Sequence, residues 1–174
     1  MKRLFVIGCG VISLMLMSSC GIKEENYELP EEEKWNSRLA NLEPMDSLIE
    51  GKTYLSVYSH VFSISEHKVQ NLTAIISLRN TSSSEEVFIK KADYYHTDGE
   101  LIKSYINKPI YIKPMETVEI MIFEKDEQGG TGGNFIFDWA TKNENNKPYF
   151  EGIMISTYGQ LGLSFSTQGL ELKQ

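Results

Sequence analysis

Two histidines and two aspartates are the residues of this chain best suited to acid–base or metal chemistry. His60 lies in one predicted strand, and His96 ends another that also carries Asp93, with Asp98 just beyond it. Imidazole and carboxylate groups bind metals and transfer protons, so the four side chains would form a site if the two strands pair. No histidine, however, stands in a zinc spacing such as His-x-x-x-His. Alternatively, the histidines cap strand ends and bond locally, while Asp98 serves a turn.

The second candidate site is a glycine-rich segment, residues 124–134. Glycines allow the backbone to approach a ligand closely, and successive N–H groups can bind an anion. Acidic flanking residues would instead favour a cation such as calcium, which takes oxygen ligands. If the segment binds no ion, it is either a long flexible hairpin loop or a loop that recognises a partner. Its candidate residues are Asp126, Glu127, Gly129, Gly130, Gly132 and Gly133.

The sequence carries no catalytic signature beyond these candidates. It contains no Gly-x-Ser-x-Gly elbow and no phosphate-binding loop ending in Gly-Lys-Ser/Thr. We therefore predict no catalytic residue and no bound cofactor, and expect a noncatalytic binding or structural module that contacts a protein or a glycan. A protein that binds a metal or a small ligand is the alternative, and an enzyme of unknown class is the third.

The first 20 residues have the pattern of an export signal that ends in a lipid-modified cysteine. Lys2 and Arg3 precede residues 4–17, which carry no charge and are too few to span a bilayer as a helix. The run Met17-Ser18-Ser19-Cys20 then resembles the lipobox of bacterial lipoproteins. This predicts cleavage before Cys20 and a covalent diacylglycerol or palmitate on its thiol. An ordinary secretory peptide with an accidental cysteine is the alternative.

The use of cysteine supports the lipid anchor. Cys9 lies in the leader, so Cys20 is the single thiol of the processed chain and no internal disulfide can form.

The predicted location is the bacterial cell envelope, at the outer membrane. The run Lys23-Glu24-Glu25 resembles a surface-export signal of lipoproteins in Bacteroidota-like bacteria, but it also suits a plain acidic tether. The surface and the periplasmic face therefore both stay open.

The charge of the chain excludes two classes of partner. The formal charge is −7, and removal of Lys2 and Arg3 takes it to −9 because all 24 acidic residues follow Cys20. Nucleic acid is bound by clusters of Lys and Arg that displace counterions, and anionic lipid surfaces attract the same residues. We therefore predict no nucleic-acid partner and a membrane contact made by the lipid alone.

The chain divides into three predicted parts: a signal peptide over 1–19, an acidic tether over 20–50, and a β domain over 51–174. The tether contains a predicted short helix after Pro30, because acidic residues suit a first helical turn. Trp35, Leu39 and Leu42 follow at helical spacing, so this helix could lie against the domain. In the same tether, Asp46-Ser47-Leu48 resembles the O-glycosylation site of exported Bacteroidota proteins, which makes Ser47 a candidate for modification.

From residue 51 the pattern changes to short runs rich in β-branched and aromatic residues, with turn residues between them. Asp98-Gly99 is the strongest hairpin signal, because both residues tolerate the positive φ of a tight turn. The spacing predicts an all-β fold, a single antiparallel β-sandwich of immunoglobulin-like architecture. The predicted strands cover residues 53–65, 72–79, 87–96, 101–106, 110–112, 117–123, 134–141, 149–157 and 161–166.

Several blocks of the β domain, taken in order, resemble the bacterial family known as domain of unknown function 3124. The likeness extends over residues 51–170. It implies a small exported or lipid-anchored bacterial protein, and it supplies no activity and no catalytic residue. The blocks that carry it are residues 54–60, 71–74, 78–81, 93–99, 108–110, 129–135 and 159–165.

Overall fold

The computed structural model describes residues 31–42, 47–158 and 161–173. Within these ranges one short helix precedes twelve strands, and the strand pairings are antiparallel. The helix is α1 (Glu31–Asn36). The strands are β1 (Ile49–Ser56), β2 (His60–Phe62), β3 (Val69–Asn71), β4 (Thr73–Arg79), β5 (Val87–Tyr95), β6 (Leu101–Ile106), β7 (Ile110–Ile112), β8 (Thr117–Ile122), β9 (Asn134–Thr141), β10 (Tyr149–Tyr158), β11 (Leu161–Gln168) and β12 (Leu170–Leu172).

The strands form two main sheets and one separate hairpin. The larger sheet has the order β12-β1-β9-β5, and both β6 and β7 pair with β5. The first half of β5 pairs with β7 and its second half with β6. The smaller sheet has the order β11-β10-β4-β8, while β2 and β3 pair only with each other. Consecutive strands therefore often lie in different sheets, as expected of a sandwich.

The two sheets pack face to face through a buried row of aromatic rings. Phe135 and Phe137, both in β9 of the larger sheet, are stacked with centroids 5.4 Å apart. Phe137 in turn stacks on Phe150 of β10 in the smaller sheet at 4.2 Å. Each fully buried ring contributes roughly 1.5–3 kcal/mol to folding. The predicted all-β, antiparallel sandwich is thus confirmed, with its core between the sheets.

Most predicted strands are present, and the differences have physical causes. Residues 53–65 form two strands rather than one, because the backbone at Val57 and Ser59 bonds to the glycine-rich segment. Val57 N–H donates to Gly133 O at 2.9 Å, and Ser59 N–H to Gly130 O at 3.1 Å. Strands β3 and β12 have three residues each, too few for a recognisable alternation.

Residues 31–42, here called the N-terminal segment, pack against the sandwich. The helix is shorter than predicted, because residues 38–40 bond to residues 109–111, at the start of β7, instead of continuing the helical turns. Ala40 N–H donates to Pro109 O at 2.9 Å, and Tyr111 N–H donates to Arg38 O at 3.0 Å. Trp35 is only 8% exposed and joins the core, whereas Leu39 is 46% exposed.

The chain divides after Pro30 into two units, and the first, residues 1–30, lies outside the described residues. The predicted leader, Cys20 and the run 23–25 all fall there. Among the residues that the structure describes, no helix is both long and apolar enough to cross a membrane.

Candidate functional site

The glycine-rich segment connects the two sheets. It leaves β8 of the smaller sheet and enters β9 of the larger one, and these two strands do not pair with each other. The hairpin predicted as one alternative is therefore wrong. A connection of this kind has to cross one end of the sandwich, where it can contact loops from both sheets.

Ser59 fixes the middle of the glycine-rich segment at this end of the sandwich. Its buried hydroxyl lies 2.9 Å from the Tyr94 hydroxyl and accepts a 3.1 Å hydrogen bond from Gly129 N–H. Its backbone N–H donates to Gly130 O, and its carbonyl accepts from Leu72 N–H. Burial is the main reason why the pKa of Tyr94 is raised, so this phenol stays neutral over the physiological range.

Two further side chains fasten the segment on either side of Ser59. The Thr97 hydroxyl donates to Gly129 O at 3.0 Å and accepts from Gly132 N–H at 2.9 Å. Asn71 donates from Nδ2 to Glu127 Oε1 at 2.6 Å. The N–H groups of Gly129 and Gly132 are therefore bonded to protein hydroxyls, so these two are not directed at an anion. The segment is held by bonds from three separate parts of the chain.

The glycines are explained by close packing. A Cβ on Gly129 would lie 1.8 Å from the Tyr94 hydroxyl, and one on Gly133 would lie 2.8 Å from Gly129 O. Gly130 has φ of +71°, a conformation that side chains disfavour. These contacts give the segment a structural role that needs no ligand.

The two candidate acidic residues of the segment, Asp126 and Glu127, also accept hydrogen bonds from the protein. Asp126 Oδ1 accepts from Gln128 N–H at 3.1 Å, which closes a turn, while Glu127 bonds to Asn71. Among the described residues, no three His, Cys, Asp or Glu side chains come together in a group that could hold a metal ion. Within the part of the chain that the structure describes, the carboxylates of Asp126 and Glu127 thus have no further acidic side chain beside them to complete a metal site.

His96 and Asp98 form a local pair in the β5–β6 turn. Their Nδ1 and Oδ1 atoms are 2.8 Å apart, and Asp98 Oδ1 also accepts from Glu100 N–H at 3.1 Å. The bond from Glu100 and then the contact with His96 hold the pKa of Asp98 below its usual value. Gly99 has φ of +89°, so Asp98-Gly99 forms the predicted tight turn.

Asp93 lies apart from this pair. Since Tyr94 points into the core, the preceding Asp93 points to the outer face of the larger sheet. It pairs there with Lys91 and accepts from the Tyr95 hydroxyl at 3.3 Å. The hydrogen bond between Lys91 and Asp93 is the main reason why the pKa of Lys91 is raised. Asp93 is almost fully buried, yet its Oδ1 atom has no hydrogen-bond partner.

His60 begins β2 and stands opposite Asn71 of β3. Its Nδ1 atom is buried without a hydrogen-bond partner. The structure therefore distributes the four predicted residues over three places: the β5–β6 turn, the outer face of the larger sheet, and the β2–β3 hairpin. They do not converge on one metal-holding group.

Ser47, the candidate for O-glycosylation, is exposed two residues before β1. Its hydroxyl is thus accessible at the surface of the domain. Its neighbour Asp46 in the recognition pattern lies outside the described residues, and modification of Ser47 stays a prediction.

One concave site was not predicted from the sequence. A groove of about 520 Å³ lies between the N-terminal segment and the β6–β7 region. Trp35 lines it, and the indole Nε1–H of this residue is buried without a hydrogen-bond partner. A buried donor without an acceptor costs roughly 1–3 kcal/mol. The walls come from residues about 70 positions apart, so no local pattern indicates the groove.

The described fold is an antiparallel β-sandwich with one sheet-crossing glycine-rich segment. The family model described as "Protein of unknown function (DUF3124)" matches residues 50–172, and the chain belongs to this family. The family resemblance seen in the sequence is thereby confirmed. No curated protein matches the chain. A solved structure titled "Crystal Structure of Thermotoga maritima 1070" is similar over 69% of this chain and 92% of that one, with 9% identity and a TM-score of 0.44.

Proposed function

We propose that this protein is an exported lipoprotein of the bacterial cell envelope, held at the outer membrane by lipid on Cys20. The support is in the sequence: a basic start, an apolar run of signal-peptide length, and small residues just before the single thiol of the processed chain. Its domain serves as a noncatalytic binding or structural module that contacts an envelope protein or glycan.

The observation that carries the binding role is the β2–β3 hairpin (residues 60–71). Residues 62–69 are all exposed, and they include Phe62 at 57% exposure and Ile64 at 82%. Val69, opposite Phe62 in the register, is exposed as well. Large apolar side chains grouped on an exposed element mark interaction surfaces more often than scattered ones do. The hairpin thus offers three exposed apolar side chains to a partner.

The anchor is tested by fractionating cells that express Cys20→Ala. We expect this variant in the soluble fraction, because the acidic chain has no other strong attraction to anionic lipid. Cys9→Ala is the matched control, since it removes the other cysteine of the chain and leaves the lipidation site intact. A Cys20→Ala protein that stayed with the membranes would contradict the anchor.

The hairpin is tested by crosslinking the lipidated protein in intact envelopes. Phe62→Ser combined with Ile64→Ser should remove the crosslinked species at unchanged thermal stability, because both side chains are exposed. Leu170→Ser is the control, as Leu170 is 64% exposed but lies in the edge strand β12. Equal crosslinking by the hairpin variant and the wild type would exclude the hairpin as the contact surface.

A second function is favoured by the groove beside Trp35, which is of the size that proteins use for small ligands. The protein would then bind a small ligand in the envelope.

The metal-binding form of this hypothesis uses other residues, either His60, Asp93, His96 and Asp98 or the glycine-rich segment. It is tested by calorimetry with calcium, zinc and copper. No heat and no change in melting temperature would reject it.

A further inference from the structure

Strand β11 is the long edge strand of the smaller sheet. It pairs with β10 over 8 consecutive positions without a register shift, and among the described strands it pairs with no other. Backbone N–H and C=O groups on the unpaired side of a strand form a template to which another strand can be added. The smaller sheet can therefore be extended at β11.

The other edges of the two sheets are covered, irregular or short. In the smaller sheet, the Lys34 ammonium group donates to Glu119 O at the β8 edge. In the larger sheet, residues 38–40 bond to the 109–111 region at β7, and the register of β6 with β5 shifts twice. Strand β12 has 3 residues and carries Glu171. Proteins prevent unwanted strand pairing by such means, whereas β11 contains no proline and no charged residue.

The hydrogen-bond pattern determines which backbone groups of β11 are open. Gly169 N–H donates to Phe150 O at 2.9 Å, so this pair, one position beyond β11 in the same register, is a hydrogen-bonded pair. Bonded and non-bonded pairs alternate along an antiparallel ladder. The odd-numbered residues of β11 therefore bond to β10. The N–H and C=O groups of the even-numbered residues, among them Ser164 and Ser166, point to the open edge.

The side chains of β11 differ between its two faces. Leu163 and Phe165 pack against the core but are only partly buried, and the Phe165 ring meets the Tyr58 ring edge-on with centroids 5.7 Å apart. Ser164 and Ser166 are exposed on the outer face. Directly opposite residues of paired strands lie on the same face of a sheet. An added strand with apolar residues on its core side would therefore bury Leu163 and Phe165 further.

A second copy of β11 has the properties that such an added strand needs. When two identical strands pair antiparallel about a twofold axis through their open edges, even-numbered residues stand opposite even-numbered ones. Leu163 and Phe165 of one copy then lie beside the same residues of the other, and the two apolar rows join. Each chain has a net charge of −7, but β11 itself is uncharged. Two acidic chains can thus meet there without placing like charges directly opposite each other.

We propose that this protein forms a homodimer in which β11 pairs antiparallel with β11 of a second copy. The twofold axis passes close to Ser164 and Phe165, at the middle of the strand, and the two smaller sheets become one continuous sheet. This inference depends neither on the lipid anchor nor on the β2–β3 hairpin, and it can fail while they hold.

The dimer is tested by thiol crosslinking of the full-length chain in intact cells. Ser164→Cys places a thiol near the twofold axis, where a short bismaleimide should link it to the same residue of a second copy. Co-expressed tagged and untagged copies should then give a mixed dimer. Ser83→Cys is the matched control, because Ser83 is also exposed but lies between β4 and β5. No mixed dimer, a product with another protein instead, or an equal yield from Ser83→Cys would overturn the proposal.

A proline variant connects the crosslink to the open backbone groups. Ser166→Pro in the Ser164→Cys chain removes an N–H that points away from β10, so β11 keeps its bonds to β10 while the added strand loses one. The mixed dimer should be lost, whereas Ser83→Pro in the same chain should leave it unchanged. If the proline variant does not fold, Ser166→Lys tests the same position, since exposed lysines prevent edge pairing. An undiminished dimer in a folded variant of Ser166 would overturn pairing through β11.

Discussion

At the scale of single residues, the hydroxyl groups of Ser59, Tyr94 and Thr97 determine how the glycine-rich segment lies. Ser59 and Tyr94 are fully buried, and their mutual bond satisfies polar atoms that would otherwise be costly inside the sandwich. Thr97 holds the segment from its outer side. Glycine is needed opposite these hydroxyls because any larger residue would occupy their positions.

We predict that Gly129→Ala destabilises the domain by about 1–3 kcal/mol. The added methyl group would lie 1.8 Å from the Tyr94 hydroxyl and 2.6 Å from Ser59 Oγ, so the hydrogen-bonded pair must separate. Urea unfolding measures the effect. Gly162→Ala is the control, since no atom lies within 4 Å of its added Cβ. Equal stability of the two variants would contradict the structural role of Gly129.

The turn at Asp98 shows what local sequence can predict at this scale. Asp98-Gly99 indicated a tight turn, and Gly99 indeed has a positive φ. The role of Asp93 was not predictable in the same way. Its burial and its pairing with Lys91 depend on which face of the larger sheet it occupies. A strand position determines the spacing of side chains but not what covers each face.

At the scale of elements, the N-terminal segment closes one side of the sandwich between the two sheets. Trp35 reaches the core from α1, and Arg38 forms a 2.9 Å ion pair with Glu116 next to β8. Backbone bonds join residues 38–40 to the β6–β7 region of the larger sheet. The predicted tether is thus folded onto the domain from residue 31 to residue 42.

We predict that Trp35→Ala costs about 3–5 kcal/mol of stability, because it removes a large side chain that is 8% exposed. Thermal or urea unfolding measures the loss. Leu39→Ala is the control in the same segment, and it should cost less than about 1 kcal/mol since Leu39 is 46% exposed. If both variants unfold like the wild type, the segment is not part of the cooperative domain.

The strands were predicted well where alternation was clear. Leu72, Ala74, Ile76 and Leu78 are all fully buried, as their spacing in and beside β4 indicated.

The helix in the N-terminal segment was predicted too long, because Leu39 lies at helical spacing from Trp35. In the structure, residue 39 forms a β-bridge with Ile110 instead. A contact 71 residues away therefore outweighed the local periodicity.

At the scale of the whole molecule, the pairing of strands predicts where the domain is most and least stable. Strand β9 is central, since it pairs with β1 on one side and β5 on the other. The β2–β3 hairpin is a two-stranded unit with little burial. Isolated two-stranded hairpins are only marginally stable in water.

We predict that amide hydrogen exchange is slowest in β9 and fastest, among the strands, in the β2–β3 hairpin. Opening β9 requires disruption of the whole sandwich, whereas the hairpin can open locally. Mass spectrometry of exchanged peptides measures both. The matched comparison is β4, which is also paired on both sides and should exchange as slowly as β9. Hairpin exchange as slow as that of β9 would contradict this order.

The sequence by itself determined the family, the antiparallel all-β class and most strand positions, because alternation and turn residues act over a few neighbouring positions. It also supplied the prediction of a lipid anchor at Cys20. Only the tertiary structure decided that the glycine-rich segment crosses between sheets, that the four predicted His and Asp residues lie in three separate places, and that Trp35 lines a groove with residues 103–108. These features join residues distant along the chain, and their relative positions follow from sheet order and packing rather than from local pattern.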